Sequence, residues 1–493
     1  MQRNETTSIG DQVVSGTLWL GSWRWSARLI GFVTTIILAR LLVPEDFGIL
    51  ATGAIVVGFF AIMTGLGTES YLIRHKDPDH DDYDTAWTLR ILVISLSSIG
   101  IFFAAWPGAD YFDDQRLVDV LQVLAIAGWL GGFGNIGLTM YRRDLQFRKI
   151  ALIGISQRLS ASTATIALAF LFKNYWAMVI GEIVFMLVGL VLSYTQHSYR
   201  PRFTLIRIRQ QWDFSKWIIL QNIAAFIQGQ GSSLIIVKFF GTEMLGLFAM
   251  TGRLAALPTQ QLIAPVLPPL FSGLSKKQHD PEGFKAAILK AIGATAILML
   301  PGATLLASLS EEIVTVVLGD RWLLAIPLVA PVTIAVLLLV LVNPAMTVLT
   351  IAGRVKLLAG LNWLGIGGLV VMYYIVQRWH DIVLLLWIQV AMGVAGVLMF
   401  YAYMLVTVKL SALAFFASIY RPLLASLVMT VVLYLVSATV GSAWLVVLAG
   451  VVFGGASYLF AIILLWRIAG SPDSGEVFLV RKLSNVIARV LKK

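Results

Sequence analysis

The sequence contains no cysteine in 493 residues. A disulfide framework and a thiolate metal site are both excluded, which accords with a bacterial inner-membrane protein. Charge is scarce as well: Asp, Glu, Lys and Arg make up only 13% of the chain, and no polar block is long enough for a separate soluble domain. The machinery of an enzyme is also missing. No nucleophile and base pair, metal cluster or phosphate-binding glycine loop is found, and the longest expected external loop is only Ser310 to Leu324. No cofactor is expected. The acidic run His75 to Asp84 offers Asp77, Asp79 and Asp81 to a cation. It lacks the glycine at the sixth position and the glutamate at the twelfth that a calcium loop needs, so it reads as a solvated loop.

What the chain has in abundance is apolar surface: 58% of residues are hydrophobic and the mean hydropathy is +0.85. Runs of about 20 apolar residues recur from end to end, the length that spans a bilayer. They predict an all-α polytopic membrane protein with helices at 13–39, 48–71, 86–106, 117–140, 150–172, 175–197, 215–238, 244–271, 285–308, 325–349, 357–377, 382–405, 419–438 and 443–466. The polar start, Met1 to Asp11, leads into a full span without a small-residue cleavage site, so no removable signal peptide is expected. Fourteen spans put both termini on one side. Of the 37 Lys and Arg residues, 27 fall on that side and six on the other, with four inside helices. The termini are therefore expected to be cytoplasmic, and the net charge of +11 reflects topology rather than nucleic-acid binding.

The first span is unusual. Arg24 and Arg28 lie one turn apart near its middle, on a stripe with Thr17, Gly21, Gly31 and Thr35. An arginine at the bilayer centre costs about 2.5 to 3.5 kcal/mol on insertion scales, so this stripe should face a polar interior rather than lipid. The chain also repeats itself: TIILARLLVPEDFGILA from Thr35 aligns without a gap on SLIIVKFFGTEMLGLFA from Ser233. Arg40 falls on Lys238, Glu45 on Glu243 and Gly48 on Gly246. Six spans separate the copies, so the halves share an orientation and form parallel repeats around a central cavity. The expected divisions are an N-terminal lobe at 1–212, a C-terminal lobe at 213–410, two extra helices at 411–470 and a tail at 471–493. In that tail Leu479, Leu483, Val486 and Val490 recur at helical spacing among basic residues, as in an amphipathic helix on the anionic cytoplasmic membrane face.

LARLLVPEDFG (Leu38 to Gly48) resembles the first-loop signature of the polysaccharide transporter branch of the multidrug/oligosaccharidyl-lipid/polysaccharide superfamily. Similar segments follow in family order: LIRHKD with TAW (Leu72 to Trp87), YRRDLQFRKIALI (Tyr141 to Ile153), APVLPPLFSGLS (Ala264 to Ser275), LGDRWLLAIP (Leu318 to Pro327) and LTIAGRVK (Leu349 to Lys356). The resemblance implies fourteen helices in two lobes, alternating access, and an undecaprenyl-diphosphate-linked oligosaccharide repeat unit as cargo. It places the chain in an exopolysaccharide or lipopolysaccharide pathway, beside glycosyltransferases and a polymerase as partners. Peptidoglycan-precursor flippases of the same superfamily are similar over Ala27 to Arg40, including Arg28. They carry an Arg-Asp pair where this chain has Thr34 and Thr35, and the likeness stops there.

A flippase for such cargo must desolvate a diphosphate and a string of hydroxyls. Guanidinium suits the phosphates because it is always charged and binds oxygens in a planar fork. Arg24, Arg28 and Arg253 fall near mid-membrane and Arg158 in the cytoplasmic half of its helix. Gln221 and Gln228 share a stripe with Ser232, and Gln260 lies two turns from Arg253; these amides suit sugars, or else hydrogen bonds between helices. Glu182 is the candidate for ion coupling, or a structural partner for Arg158, and Glu69 reads as interfacial. Trp19, Trp23 and Trp25 could stack on sugar rings, Trp19 fitting an interfacial belt better. Two other readings compete. A cation-coupled multidrug exporter would want an acidic rather than a basic interior, and a membrane polysaccharide polymerase or ligase would want the catalytic loop that is lacking.

Overall fold

The computed structural model describes residues 9–64, 68–261, 280–472 and 475–476. They form two compact units, one ending at Gly246 and the other beginning at Leu247. Every regular element among the described residues is helical. Among the described residues ten helices are long and apolar enough to cross a membrane, so the chain is an all-α, multi-pass membrane protein.

The first unit comprises α1 (Ile9–Leu41), α2 (Pro44–Thr64), α3 (Thr68–Arg74), α4 (His80–Phe112), α5 (Arg116–Gly132), α6 (Leu138–Arg143), α7 (Phe147–Phe172), α8 (Trp176–Thr195) and most of α9 (Ile208–Ala256). The expected lobe boundary at 212 falls inside α9. Gly241, at φ +82°, interrupts that helix, and the expected spans 215–238 and 244–271 lie on either side of it. Its counterpart in the repeat is Val43, in the break between α1 and α2. Both copies thus turn the chain at the same position, the second with the residue that tolerates positive φ. In this unit α7 packs on α1 and α8, while α4 packs on α2 and α5.

The acidic run is a loop with exposed Asp77 and Asp79 as far as Asp79, and from His80 onward it is the start of α4. Asp79 caps α4, accepting from the Asp82 amide at 2.9 Å while Asp82 accepts from the Asp79 amide at 3.1 Å, a reciprocal capping box. Asp82 and Asp84 are buried. The Asp84 carboxylate accepts from the Tyr199 hydroxyl at 2.6 Å and the Arg202 amide at 3.0 Å, which ties the segment after α8 to the start of α4. Helix period alone did not reveal this, because the acids sit in the first turns and are held by a segment more than a hundred residues away.

The second unit comprises α10 (Pro281–Ser308), helical turns between Ser310 and Ala325, α11 (Ile326–Leu341), α12 (Asn343–Ile351), α13 (Val355–Trp379), α14 (Ile382–Val408), α15 (Ala412–Thr439) and α16 (Ala443–Ile468). Asp280 caps α10 through the Gly283 amide, with Pro281 in the first turn, where no amide hydrogen is needed. Phe284, Ile288 and Ile292 of α10 pack with Val348 and Leu349 of α12 and with Phe400, Tyr401 and Met404 of α14. The two helices outside the repeat, α15 and α16, pack on each other, and α15 packs on α10. Beyond them the chain returns to the unit: Gly475 sits against the backbone of Gly293 and Ala294, and buried Glu476 pairs with buried Arg421 at 2.8 Å. The expected amphipathic helix around Leu479 to Val490 and the segment Ala264 to Ser275 lie outside the described residues.

Candidate functional site

Two glycines set the approach of α1 and α7. A Cβ on Gly154 would collide with the Trp23 indole, and one on Gly31 would collide with the Arg158 guanidinium. Arg158 therefore reaches across from α7 to α1 three residues beyond Arg28. The Arg28 guanidinium lies 5.7 Å from the centre of the Trp25 ring, and Arg148, in the first turn of α7, lies 5.6 Å from that of Trp19. Arg24 is exposed, and among the described residues no hydrogen bond or ion pair engages it. The structure thus brings Arg28 and Arg158 to adjoining turns of one helix pair, with Arg24 one turn before.

The other expected residues are distributed more widely. Glu182 is exposed on α8 and feels the charge of Arg158, but among the described residues no direct ion pair joins them. Gln228 is exposed on α9 in the first unit, and Arg253 is exposed on α9 in the second. The side chains of Gln221 and Gln260 lie outside the described residues. Tryptophans 19 and 25 are exposed and also act as ring faces for arginines, a role that spacing alone does not distinguish from sugar stacking.

Sequence reasoning missed a polar network at the α1–α2 end of this unit. Arg116 bonds Asp114 through Nε and Nη2, each at 2.8 Å, and Glu45 through Nη2 at 2.6 Å. Asp114 also accepts from the Thr242 hydroxyl at 3.2 Å. Asp46 accepts from the amides of Val43 and Tyr175 at 3.1 and 2.9 Å, while Lys238 donates to the Tyr111 carbonyl at 2.7 Å. Burial opposes ionisation of Asp114, but the Arg116 side chain and amide and the Thr242 hydroxyl outweigh it and hold the carboxyl below the usual carboxylate range. Glu45 and Thr242 both stand in the repeat, which was the available signal. Arg116 carried no sequence mark beyond its charge.

The family model described as "Polysaccharide biosynthesis protein" matches residues 37–327. The succinoglycan biosynthesis transport protein ExoT of Rhizobium meliloti is 27% identical over 324 residues, which cover 65% of this chain and 64% of that protein. The lipopolysaccharide biosynthesis protein WzxC of Escherichia coli is 22% identical over 71% of this chain and 72% of its own length. Among solved structures, the lipid II flippase MurJ in an inward closed conformation superposes with a TM-score of 0.73 at 13% identity, covering 92% of this chain and 99% of that one. At that identity the likeness establishes the fold alone.

Proposed function

This chain belongs to the polysaccharide biosynthesis protein family, and from that membership we propose that it is a flippase for undecaprenyl-diphosphate-linked oligosaccharide repeat units. It works in the bacterial inner membrane by alternating access, in exopolysaccharide or lipopolysaccharide biosynthesis, and hands its cargo to a polymerase of the same pathway. Both termini face the cytoplasm, where glycosyltransferases build the cargo. The names of the relatives, a succinoglycan transport protein and a lipopolysaccharide biosynthesis protein, support the cargo class.

The observation that carries the mechanism is the cationic face of α1 and α7. Arg24 and Arg28 project from one helix and Arg158 reaches that helix at Gly31, so permanent charge is concentrated where a diphosphate needs to be desolvated. Glu182, placed in the field of Arg158, is proposed as the group through which an ion gradient is coupled. Cells lacking the protein should make the lipid-linked unit and hold it on the cytoplasmic leaflet: surface polymer disappears while glycosyltransferase activity in membranes persists. Delivery of the lipid-linked unit to the outer face with loss of polymerisation alone would replace the flippase with a polymerase.

A further inference from the structure

The first unit holds a partly open cavity of about 340 Å³ lined by residues of α3 to α8. Arg90 of α4 and Arg142 of α6 line it, with Glu69, Asn135 and Ser193. The sequence places Arg90 at a helix end as one more cytoplasmic charge, but α4 begins at His80 and carries it ten residues inward. Its Nη2 donates to the Gly134 carbonyl, while its buried Nε has no hydrogen-bond partner. Arg142 is already neutralised by an ion pair with Glu69. Ser193 accepts from the Asn135 amide at 2.9 Å, and Asn135 donates to the Tyr199 carbonyl at 2.7 Å, so the polar end of the cavity is built from fixed groups. Two arginines against one carboxylate leave one positive charge unmatched.

We propose that this cavity binds a phosphate group through Arg90. A cavity lined by two guanidinium groups and one carboxylate selects an anion, and phosphate presents oxygens in the geometry of the guanidinium fork. The volume is about ten times the ~30 Å³ share of one liquid water, room for a phosphate with a short organic stem rather than for a halide ion. Ile94, Phe185 and Met186 add apolar wall, suited to the first methylenes of a phospholipid, while Thr139 and Gln157 add polar groups suited to its glycerol. An anionic phospholipid and free phosphate share this chemistry, and the experiment separates them. The site is distinct from the residues assigned to cargo and does not depend on that assignment.

The test uses the purified full-length protein and two probes, phosphatidylglycerol against diacylglycerol and inorganic phosphate against chloride, with bound lipid read by native mass spectrometry and unfolding temperature read in parallel. Gly128 lines the cavity, and a Cβ there meets nothing within 4 Å, so Gly128→Leu adds side-chain volume at the cavity wall and leaves Arg90 in the sequence. Arg90→Gln removes the charge and Arg90→Lys restores it. Retention of phosphatidylglycerol should fall about tenfold in Gly128→Leu and Arg90→Gln and recover in part in Arg90→Lys, as expected for one charge-assisted contact. Protection by phosphatidylglycerol alone identifies a lipid ligand, and equal protection by inorganic phosphate identifies the free ion as sufficient. If neither probe protects the wild type, or Gly128→Leu responds to both as the wild type does, the proposal is overturned. Gly128→Leu decides the matter even if Arg90→Gln does not fold.

Discussion

Gly48 and Gly246 make a reciprocal contact: a Cβ on Gly48 would collide with the carbonyl oxygen of Thr242, and a Cβ on Gly246 with that of Pro44. Thr242 and Pro44 are themselves equivalent positions in the repeat, each four residues before its glycine. Residue i meets j and j meets i, the signature of a two-fold relation. The repeat seen in the sequence is therefore a physical pairing between its own two copies.

Because backbone rather than a flexible side chain opposes each glycine, alanine should not be accommodated by rotamer change. Gly48→Ala and Gly246→Ala should each destabilise the purified protein by about 1 to 3 kcal/mol, the usual cost of overpacking. They share one contact, so the double variant should cost less than the sum. Denaturant unfolding in detergent reads this, and additive effects near zero would mean that the two copies are not held by this contact.

Asp114 gives the same region a pH dependence. Its carboxyl is held below the usual carboxylate range in the folded state. The stabilisation is fully present above the unfolded value of about 3.9 and is lost as pH falls through the lower folded value. Unfolding temperature measured downward from pH 6 should drop more steeply in the wild type than in Asp114→Asn. Thr242→Val should lower stability at neutral pH by about 1 kcal/mol, one hydrogen bond. Parallel pH profiles for wild type and Asp114→Asn would remove this contribution.

The pair Arg421–Glu476 fastens the end of the described chain to the second unit with only 5% and 3% of its side chains exposed. Removing one partner leaves a buried charge, so Glu476→Gln or Arg421→Met should destabilise by about 3 to 5 kcal/mol. Replacing both, as Arg421→Met with Glu476→Leu, should recover most of that loss. Truncation after Ser471 removes the same pair and should cost a similar amount. Full stability of the truncated chain would show that the segment around Gly475 and Glu476 is only appended.

Much of this was legible in the sequence for a simple reason: in lipid every backbone group must be satisfied within its own helix, so apolar runs report helices directly. The Arg24 and Arg28 stripe was legible because helical period fixes its face. Arg158 at Gly31 was half legible, since the charge stood out but its reach to α1 depends on a glycine whose meaning appears only once two helices pack. Asp84 with Tyr199, Asp114 with Arg116 and Thr242, and the Arg90 cavity were not. They depend on contacts between distant segments, which periodicity does not encode.

The proposed orientation rests on the Lys and Arg bias. In this chain without native cysteine, a cysteine placed between α6 and α7, in the stretch Arg142 to Lys149, should react in intact cells only with membrane-permeant thiol reagents. A cysteine near Asp110 should react with impermeant ones. Reversed labelling would invert the topology and place the termini outside the cytoplasm.

The most direct test of the central claim is surface polymer produced per molecule of membrane-inserted protein in Arg24→Ala, Arg28→Ala and Arg158→Ala. Removing a charge from a membrane span does not hinder insertion, so abundance should hold while output per molecule falls at least about tenfold, a loss of roughly 1.4 kcal/mol. Arg28→Lys, which keeps the charge but not the planar fork, should fall between wild type and Arg28→Ala. Output near wild type in all three alanine variants, or abundance falling in step with activity, would contradict the assignment of these arginines to the diphosphate of the cargo.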